Sequence, residues 1–224
     1  MDPMPAHTGS YELPMFPLGS VLLPGMVLPL RVFEPRYRVL VDTVLLADEP
    51  EFGCVLIERG SEVGGGDVRT SVGCVARVLE LARHEDGQVS LVAVGARRIQ
   101  VGDWLPDDPF PRALVQDWPD APDDRPDGDA ATEVERGIAR IDAAVRQLGE
   151  LAAELGLAPT VDDAAFSDEP TLRTYQLATV SPLGAHDRLR VLRTPDLATR
   201  VGLLEDLVEE QRIMLEARRA FGSG

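Results

Sequence analysis

Apolar residues follow two different patterns along the chain, and the change occurs near residue 118. Before it, short runs rich in β-branched residues are separated by clusters of Gly, Pro and Asp, which is typical of strands joined by turns. After it, apolar residues recur every three or four positions, which is the spacing of amphipathic helices. The pattern therefore predicts an α+β protein in which a β-rich lobe precedes an α-helical bundle lobe.

The predicted strands are short apolar runs that end at turn residues. They are MFPL and MVLPLRVF with a turn at Pro24-Gly25 between them, then EFGCVLIERG, VGCVARVLELA, QVSLVAVGARRIQV and PFPRALVQDW. The segment HEDG predicts a hairpin turn, because Asp86-Gly87 suits positive φ angles. The segment SEVGGGDVRTS predicts a flexible loop, since its glycines lack the spacing of a phosphate-binding motif.

One short helix is predicted inside the β-rich lobe, over the segment EPRYRVLVDTVLLADEP. Pro35 suits its first turn, and the helix should end before Pro50. The apolar residues at helical spacing are Tyr37, Val41, Val44 and Leu45.

The segment WPDAPDDRPDGDA is rich in Pro and Asp and predicts a solvated acidic linker. Beyond it, Thr132 and Glu135 form a capping-box signal for a helix that Gly156 ends. Three more helices are predicted: one from Pro170, one over AHDRLRVLR and one from Thr194-Pro195 onward. The predicted boundaries are a flexible N-terminus at 1–12, the β-rich lobe at 13–118, the linker at 119–130 and the helical lobe at 131–224.

The uncharged run from Leu13 to Leu30 is long enough for a membrane-spanning helix. Four prolines lie within it, and each removes a backbone donor and costs about 3 kcal/mol inside a helix. The segment before the run is acidic and lacks Lys and Arg, unlike a secretory leader. We therefore expect strands that fold into a protein core, no membrane association, and a cytoplasmic protein.

The formal net charge of −16 changes the range of plausible partners, because it opposes binding to phosphate-rich nucleic acids and anionic lipids. All 22 basic residues counted as Lys and Arg are arginine. The absence of lysine excludes the P-loop lysine, Schiff-base chemistry and a Ser–Lys catalytic pair within this sequence.

No other residue pattern indicates an enzyme, a metal site or a cofactor. The three histidines, His7, His84 and His186, lie in a terminus, a hairpin turn and a helix start, and no G-x-S-x-G motif is present. Cys54 and Cys74 lack zinc-ligand spacing, and their apolar surroundings indicate buried, reduced thiols, with a cross-strand disulfide as the alternative. The adjacent carboxylates Asp107-Asp108, Asp123-Asp124 and Asp162-Asp163 fall in predicted loops and are typical of solubilising charge.

The remaining candidate chemistry is binding, at the junction LRVFEPRYRVL. Phe33 and Tyr37 flank Glu34 and Arg36 there, which is typical either of a peptide-binding surface or of core aromatics with Glu34 capping a helix. In the pair Arg97-Arg98, strand alternation directs one arginine inward, and we expect it to form an ion pair with an acid such as Glu34.

Three segments together resemble the N-terminal substrate-binding domain of the Lon protease family. They are the opening P-L-x-x-x-x-L-P-G-M-x-L-P-L, the strand V-G-C-V-A-R-V and the block V-G-A-R-R-I-x-V. The likeness covers roughly residues 13–104, and LATVSPLGAHDRLRVLRTPDLATRVGLLEDL is more weakly similar to the C-terminal helices of that domain.

The resemblance implies a PUA-like β-barrel followed by helices, and a non-enzymatic module that recognises unfolded or marked polypeptides. It implies an adaptor or holdase in protein quality control, with a separate ATP-dependent protease as a partner. The residues in matching signature positions are Pro24, Phe33, Glu34, Arg36, Tyr37 and Arg98. They either contact a polypeptide or build the barrel. RNA binding by a PUA-like barrel, and a small-molecule or enzymatic site between the lobes, are the alternatives.

Overall fold

The computed structural model describes residues 9–59, 68–122, 129–157 and 166–221. The chain divides into two compact units, Met1–Pro119 and Asp120–Gly224. The first unit contains β1 (Tyr11–Leu18), β2 (Val27–Val32), α1 (Pro35–Val44), β3 (Glu51–Arg59), β4 (Val68–Arg83), β5 (Val89–Leu105) and β6 (Arg112–Asp117). The second contains α2 (Asp129–Glu154), α3 (Pro170–Val180), α4 (Ala185–Leu192) and α5 (Leu197–Phe221). The protein is therefore of mixed α and β structure, as predicted.

The six strands form one sheet in the order β2-β5-β4-β3-β1-β6. Only the β1–β3 pair is parallel among these ladders. Strand β5 is long enough to pair also with β6, so the ladders β5–β4–β3–β1–β6 close into a ring. Strand β2 lies outside this ring and, within the described part of the chain, pairs only with β5.

Two apolar clusters stabilise this unit. The five ring strands supply the first, which consists of Leu13, Met15, Val55, Val75, Ile99, Val101, Ala113 and Val115. The second joins α1 to β2, to the β4–β5 hairpin and to neighbouring strands, and it includes Phe16, Leu28, Val32, Tyr37, Leu40, Val41, Phe52, Leu91 and Ala93. The uncharged opening of the sequence thus folds into a protein core. No helix in the described ranges has both the length and the apolarity needed to cross a bilayer.

The turn before β2 is fixed by a proline and a glycine. The Met26 N–H donates to the Leu23 carbonyl at 3.0 Å, and Gly25 has φ 78°, which suits the third position of a type II turn with Pro24 at the second. Gly25 donates to Gly95 O and Gly95 donates to Met26 O, so Gly25 and Met26 form a G1 bulge opposite Gly95. The predicted turn at Pro24-Gly25 is therefore confirmed.

The hairpin between β4 and β5 is also confirmed, with Gly87 at φ 77° and its N–H donating to His84 O at 3.0 Å. Other predicted details of this unit were wrong. Strand β1 begins at Tyr11, inside the stretch predicted as a flexible N-terminus. Strand β4 begins at Val68, inside the segment predicted as loop, and residues 60–67 of that segment lie outside the described residues. In α1 the fourth buried residue is Leu40, and Leu45 follows the helix and is exposed.

In its described residues, the second unit contains four helices. Helix α2 begins at Asp129, so the prediction that Thr132 caps it was wrong, and Gly156 follows its C-terminus at φ 66° as expected. The Glu169 carboxylate caps α3 by accepting from the backbone of Thr171 and Leu172. The buried face of α2 includes Ile138, Ile141, Val145 and Leu148.

Candidate functional site

Strands β2, β5 and β4 form a three-stranded region with two unlike faces. On one face, Leu28, Leu30 and Val32 pair with Ala93, Leu91 and Val89 and pack into the second apolar cluster. The opposite face is defined here as the outer face. It consists of the rows Val27–Val94–Arg77, Pro29–Val92–Glu80 and Arg31–Ser90–Ala82, together with Leu79 from a bulge in β4. Arg77 is paired with Glu51 of β3 at 3.0 Å.

The outer face is unusually apolar for a surface that is not covered by the core. Val27 is 57% exposed and Leu79 is 52% exposed, while Val92 and Val94 between them are half-buried. A sheet with one solvated face normally carries polar side chains there. A contiguous apolar surface of this kind is typical of an interaction site.

A groove of about 510 Å³ lies along this region and is lined by residues 29–31, 80–82 and 90–92. Its charged groups are one arginine and one glutamate, Arg31 and Glu80. The Arg31 guanidinium donates from Nε to the Gln88 side-chain oxygen at 2.7 Å, and Gln88 is held by Asp86 in the hairpin turn. The groove therefore offers apolar contact with a small, balanced set of charges.

Three predicted site residues lie together at the junction of β2 and α1. Phe33 directly follows β2 and is 54% exposed. It continues the alternation of Val27, Pro29 and Arg31, the residues of β2 on the outer face. Glu34 occupies the N-cap position of α1, but its side chain makes no capping hydrogen bond and instead accepts from Arg36 Nε at 3.1 Å. At one end of the outer face, Phe33 is thus exposed, and Glu34 and Arg36 form a partly buried ion pair.

The other three predicted site residues are buried. The Tyr37 ring stacks on Phe16 with centroids 4.1 Å apart, under the guanidinium of Arg36. Pro24 forms the turn described above. The Arg98 guanidinium lies over the Trp118 ring, 4.5 Å from its centroid.

One arginine of the pair Arg97-Arg98 forms ion pairs with acids, as expected, but the suggested partner Glu34 was wrong. Arg97 instead donates to Asp117 at 3.0 Å and to Glu51 at 2.8 Å, and also to the Tyr11 hydroxyl at 3.3 Å. Glu51 also accepts from Arg77 at 3.0 Å. Five strands of the ring each supply one member of this network. The pKa of Tyr11 is raised by burial and by its hydrogen bond to Asp117.

Cys54 and Cys74 lie directly opposite each other in the β3–β4 ladder and are free, buried thiols, as expected. Burial raises the pKa of Cys74 to about 12 and raises the pKa of Cys54 well above its usual range. A protonated, buried thiol is neither a nucleophile nor a metal ligand. No cluster of three or more His, Cys, Asp or Glu suited to a metal occurs among the described residues.

The other candidate titratable residues that the structure describes lie at the surface. His84 lies at the hairpin, with Nε2 2.8 Å from Ser90 Oγ, and His186 lies in the first turn of α4. Asp107 of the predicted loop pair accepts from Arg69 at 2.9 Å. His7 and the carboxylate pairs at 123–124 and 162–163 lie outside the described residues.

Sequence reasoning missed Leu79, Val92 and Val94, although β5 carried a signal. The run VSLVAV is apolar at almost every position, which alternation with one solvated face does not explain. Such a run indicates either burial on both faces or an apolar surface. Leu79 gave no such signal, because the bulge that exposes it depends on the register with β5.

Comparison with known proteins identifies the chain's relatives. It is 31% identical to a Lon protease from Anaeromyxobacter dehalogenans and 30% identical to Lon protease 2 from Myxococcus xanthus, in each case over 94% of this chain. The chain spans only about a quarter of the length of these two relatives, 24% and 25%.

Solved structures of Lon N-terminal domains are also similar to this chain. The Lon N-terminal domain protein from Xanthomonas campestris shares 30% identity at a TM-score of 0.59, covering 88% of this chain and 98% of that one. The N-terminal domain of the Mycobacterium avium complex Lon protease has a TM-score of 0.62 at 20% identity, which shows a shared fold. The family of the ATP-dependent protease La (LON) substrate-binding domain matches residues 12–210, and the chain belongs to that family.

Proposed function

We propose that this chain is a non-enzymatic polypeptide-recognition module and that the outer face of β2, β5 and β4 binds apolar segments of unfolded polypeptides. The observation that carries the proposal is the exposed apolar surface on the side of the sheet that faces away from the core. Membership of a family described as a substrate-binding domain supports the same function.

The chemistry of the outer face suits broad rather than narrow recognition. Burying apolar surface contributes about 25 cal/mol per Å² and has no directional requirement, so many apolar sequences can bind. The two charged groups of the groove, Arg31 and Glu80, have opposite signs and favour no strongly charged ligand. The net charge of −16 disfavours highly acidic polypeptides and nucleic acids.

We assign two roles to the signature residues. Phe33, Glu34 and Arg36 contact the polypeptide at the α1 end of the outer face, since Phe33 is exposed and the other two form a partly buried ion pair beside it. Pro24, Tyr37 and Arg98 stabilise the fold and do not contact the polypeptide, because all three are buried. These roles divide the six residues by their exposure.

The finer structural and cellular assignments belong to the same proposal. The closed ring of five strands supports a PUA-like barrel, and the four helices of the second unit support a bundle. An adaptor or holdase role in cytoplasmic protein quality control, with a separate ATP-dependent protease as partner, follows from the Lon relatives. The acidic stretch at 119–130 is proposed as the linker only in part, because Asp120 and Ala121 bond to the second unit and α2 begins at Asp129.

The test is the affinity of the full chain for a fluorescein-labelled, unstructured peptide that carries Leu and Phe among Ser and Gly. The variant Val27→Ser/Leu79→Ser should weaken binding at least about tenfold, which corresponds to about 1.4 kcal/mol. Leu46→Ser is the matched control, because Leu46 is 88% exposed but follows α1 and lies outside the outer face. Equal affinities for the wild type and the double variant would reject the site, and no binding by the wild type would reject the function.

A further inference from the structure

Backbone hydrogen bonding alternates along β2 and determines which of its groups face the side away from β5, which is called here the open edge. Gly95 N–H donates to Met26 O at 2.9 Å, so Met26 is bonded toward β5. Bonded and non-bonded positions alternate along an antiparallel ladder. Leu28 and Leu30 are therefore bonded toward β5, and the backbone groups of Val27, Pro29 and Arg31 point away from it.

The middle position on the open edge is a proline. Pro29 has no N–H. Its register partner Val92 loses no ladder hydrogen bond, because Pro29 is at a position that is not bonded toward β5. Proline is tolerated in strands when its missing donor faces an edge, and there it obstructs the pairing of a further strand. The open edge of β2 thus offers donors only at Val27 and Arg31, four residues apart, with an obstructing ring between them.

We propose, on the basis of the proposed function, that a bound polypeptide is held by its apolar side chains across the outer face and not by strand addition to the edge of β2. Pro29 is the residue that determines this mode. The edge lacks the central donor that an added strand needs, while Val27, Leu79 and Phe33 present apolar groups outward. The ligand class is therefore defined by apolar side chains, with no requirement for free backbone amides.

The first test compares the peptide described above with the same peptide N-methylated at alternate backbone amides, which removes the donors needed for strand pairing. The two peptides should bind the full chain with affinities within about twofold of each other, because side chains supply the contact. A loss of tenfold or more on N-methylation would overturn the side-chain mode while leaving polypeptide recognition intact. Failure of both peptides to bind would instead reject the proposed function.

The second test examines the edge without any peptide. Pro29→Thr restores the N–H and should cause concentration-dependent self-association, measured by sedimentation velocity, as two edges pair. Val92→Thr is the matched control, since it places threonine in the same row without changing an edge donor. A Pro29→Thr protein that sediments as the wild type and the control do would overturn the role of Pro29.

Discussion

The guanidinium of Arg200, which is completely buried, donates to both carboxylate oxygens of Asp120, with Nη1 3.0 Å from Oδ1. Arg200 also donates from Nε to the Thr174 hydroxyl at 2.9 Å and lies over the Tyr175 ring. These contacts fix the first residue of the second unit to α3 and α5. A buried arginine needs such a partner, because an uncompensated charge away from water is costly.

Asp120→Asn should lower the free energy of unfolding of the second unit by about 3 kcal/mol, since it leaves the Arg200 charge without its counter-ion. Urea unfolding followed by helical circular dichroism measures this change. Asp187→Asn is the control, because Asp187 pairs with Arg190 on the exposed surface of α4 and such pairs contribute at most about 1 kcal/mol. Equal effects of the two substitutions would contradict the role of Asp120.

The sequence predicted local structure well because turns, strands and helix ends depend on neighbouring residues. Pro24-Gly25, Asp86-Gly87 and Gly156 all marked chain reversals or ends that the structure contains. Long-range partners were not predictable in the same way. Asp120 falls in an Asp-rich stretch that reads as solvated linker, and nothing local indicates an arginine 80 positions later.

The exposure and the partners of the candidate site residues could not be predicted from the sequence either. Phe33 and Tyr37 carry equal signals in the sequence, yet one is exposed and the other stacks on Phe16. Glu34 was assigned to a strand arginine, but the structure pairs it with Arg36, two residues away. The outer face needed the register of three strands, which the sequence does not give.

Gly95→Ala should destabilise the first unit by about 2–3 kcal/mol, because a Cβ there would lie 2.1 Å from the Leu23 carbonyl oxygen. The backbone of the Pro24-Gly25 turn would have to move to accommodate it. Chemical denaturation followed by tryptophan fluorescence measures the change. This close approach explains why glycine stands in the segment V-G-A-R-R.

Two other glycines provide controls for that substitution. Gly102→Ala, also in β5, meets only Leu114 O at 3.5 Å and should change stability by less than about 0.5 kcal/mol. Gly202→Ala, in an exposed position of α5 with no atom within 4 Å, should stabilise the second unit by about 0.5–1 kcal/mol. A Gly95→Ala protein as stable as Gly102→Ala would refute the close packing of the turn.

Phe33→Ala and Tyr37→Ala should distinguish a residue that contacts the polypeptide from a residue that stabilises the fold. Tyr37→Ala removes a buried ring and should cost about 3–4 kcal/mol of stability. Phe33→Ala should change stability by less than about 0.5 kcal/mol, since the ring is half exposed, but should weaken peptide binding. Thermal unfolding and fluorescence anisotropy measure the two effects. Loss of stability in Phe33→Ala equal to that in Tyr37→Ala would contradict the assignment.

The two buried thiols should make stability fall in mildly alkaline solution. Burial raises the pKa of Cys54 and Cys74 above the ordinary value of 9.0, so the folded state retains protons that the unfolded state releases. The stabilisation is complete below pH 9 and is lost progressively as the pH rises toward the folded values, because the unfolded state then binds fewer protons.

Ionisation of each thiol in the unfolded state should lower the free energy of unfolding by about 1.4 kcal/mol between pH 8 and pH 10, and ionisation of both should lower it by about 3 kcal/mol. The sequence contains no lysine, but Tyr11, whose pKa is also raised above the ordinary value of 10.0, contributes in the same direction near pH 10. Urea unfolding under reducing conditions at pH 8, 9 and 10 measures the slope for the wild type and for Cys54→Ala/Cys74→Ala. The double variant starts from a lower stability, because alanine leaves small cavities, and its free energy of unfolding should fall by only about 0.4 kcal/mol between pH 8 and pH 10, owing to the raised pKa of Tyr11. Parallel curves for the two proteins would show that the thiols already ionise within the folded protein.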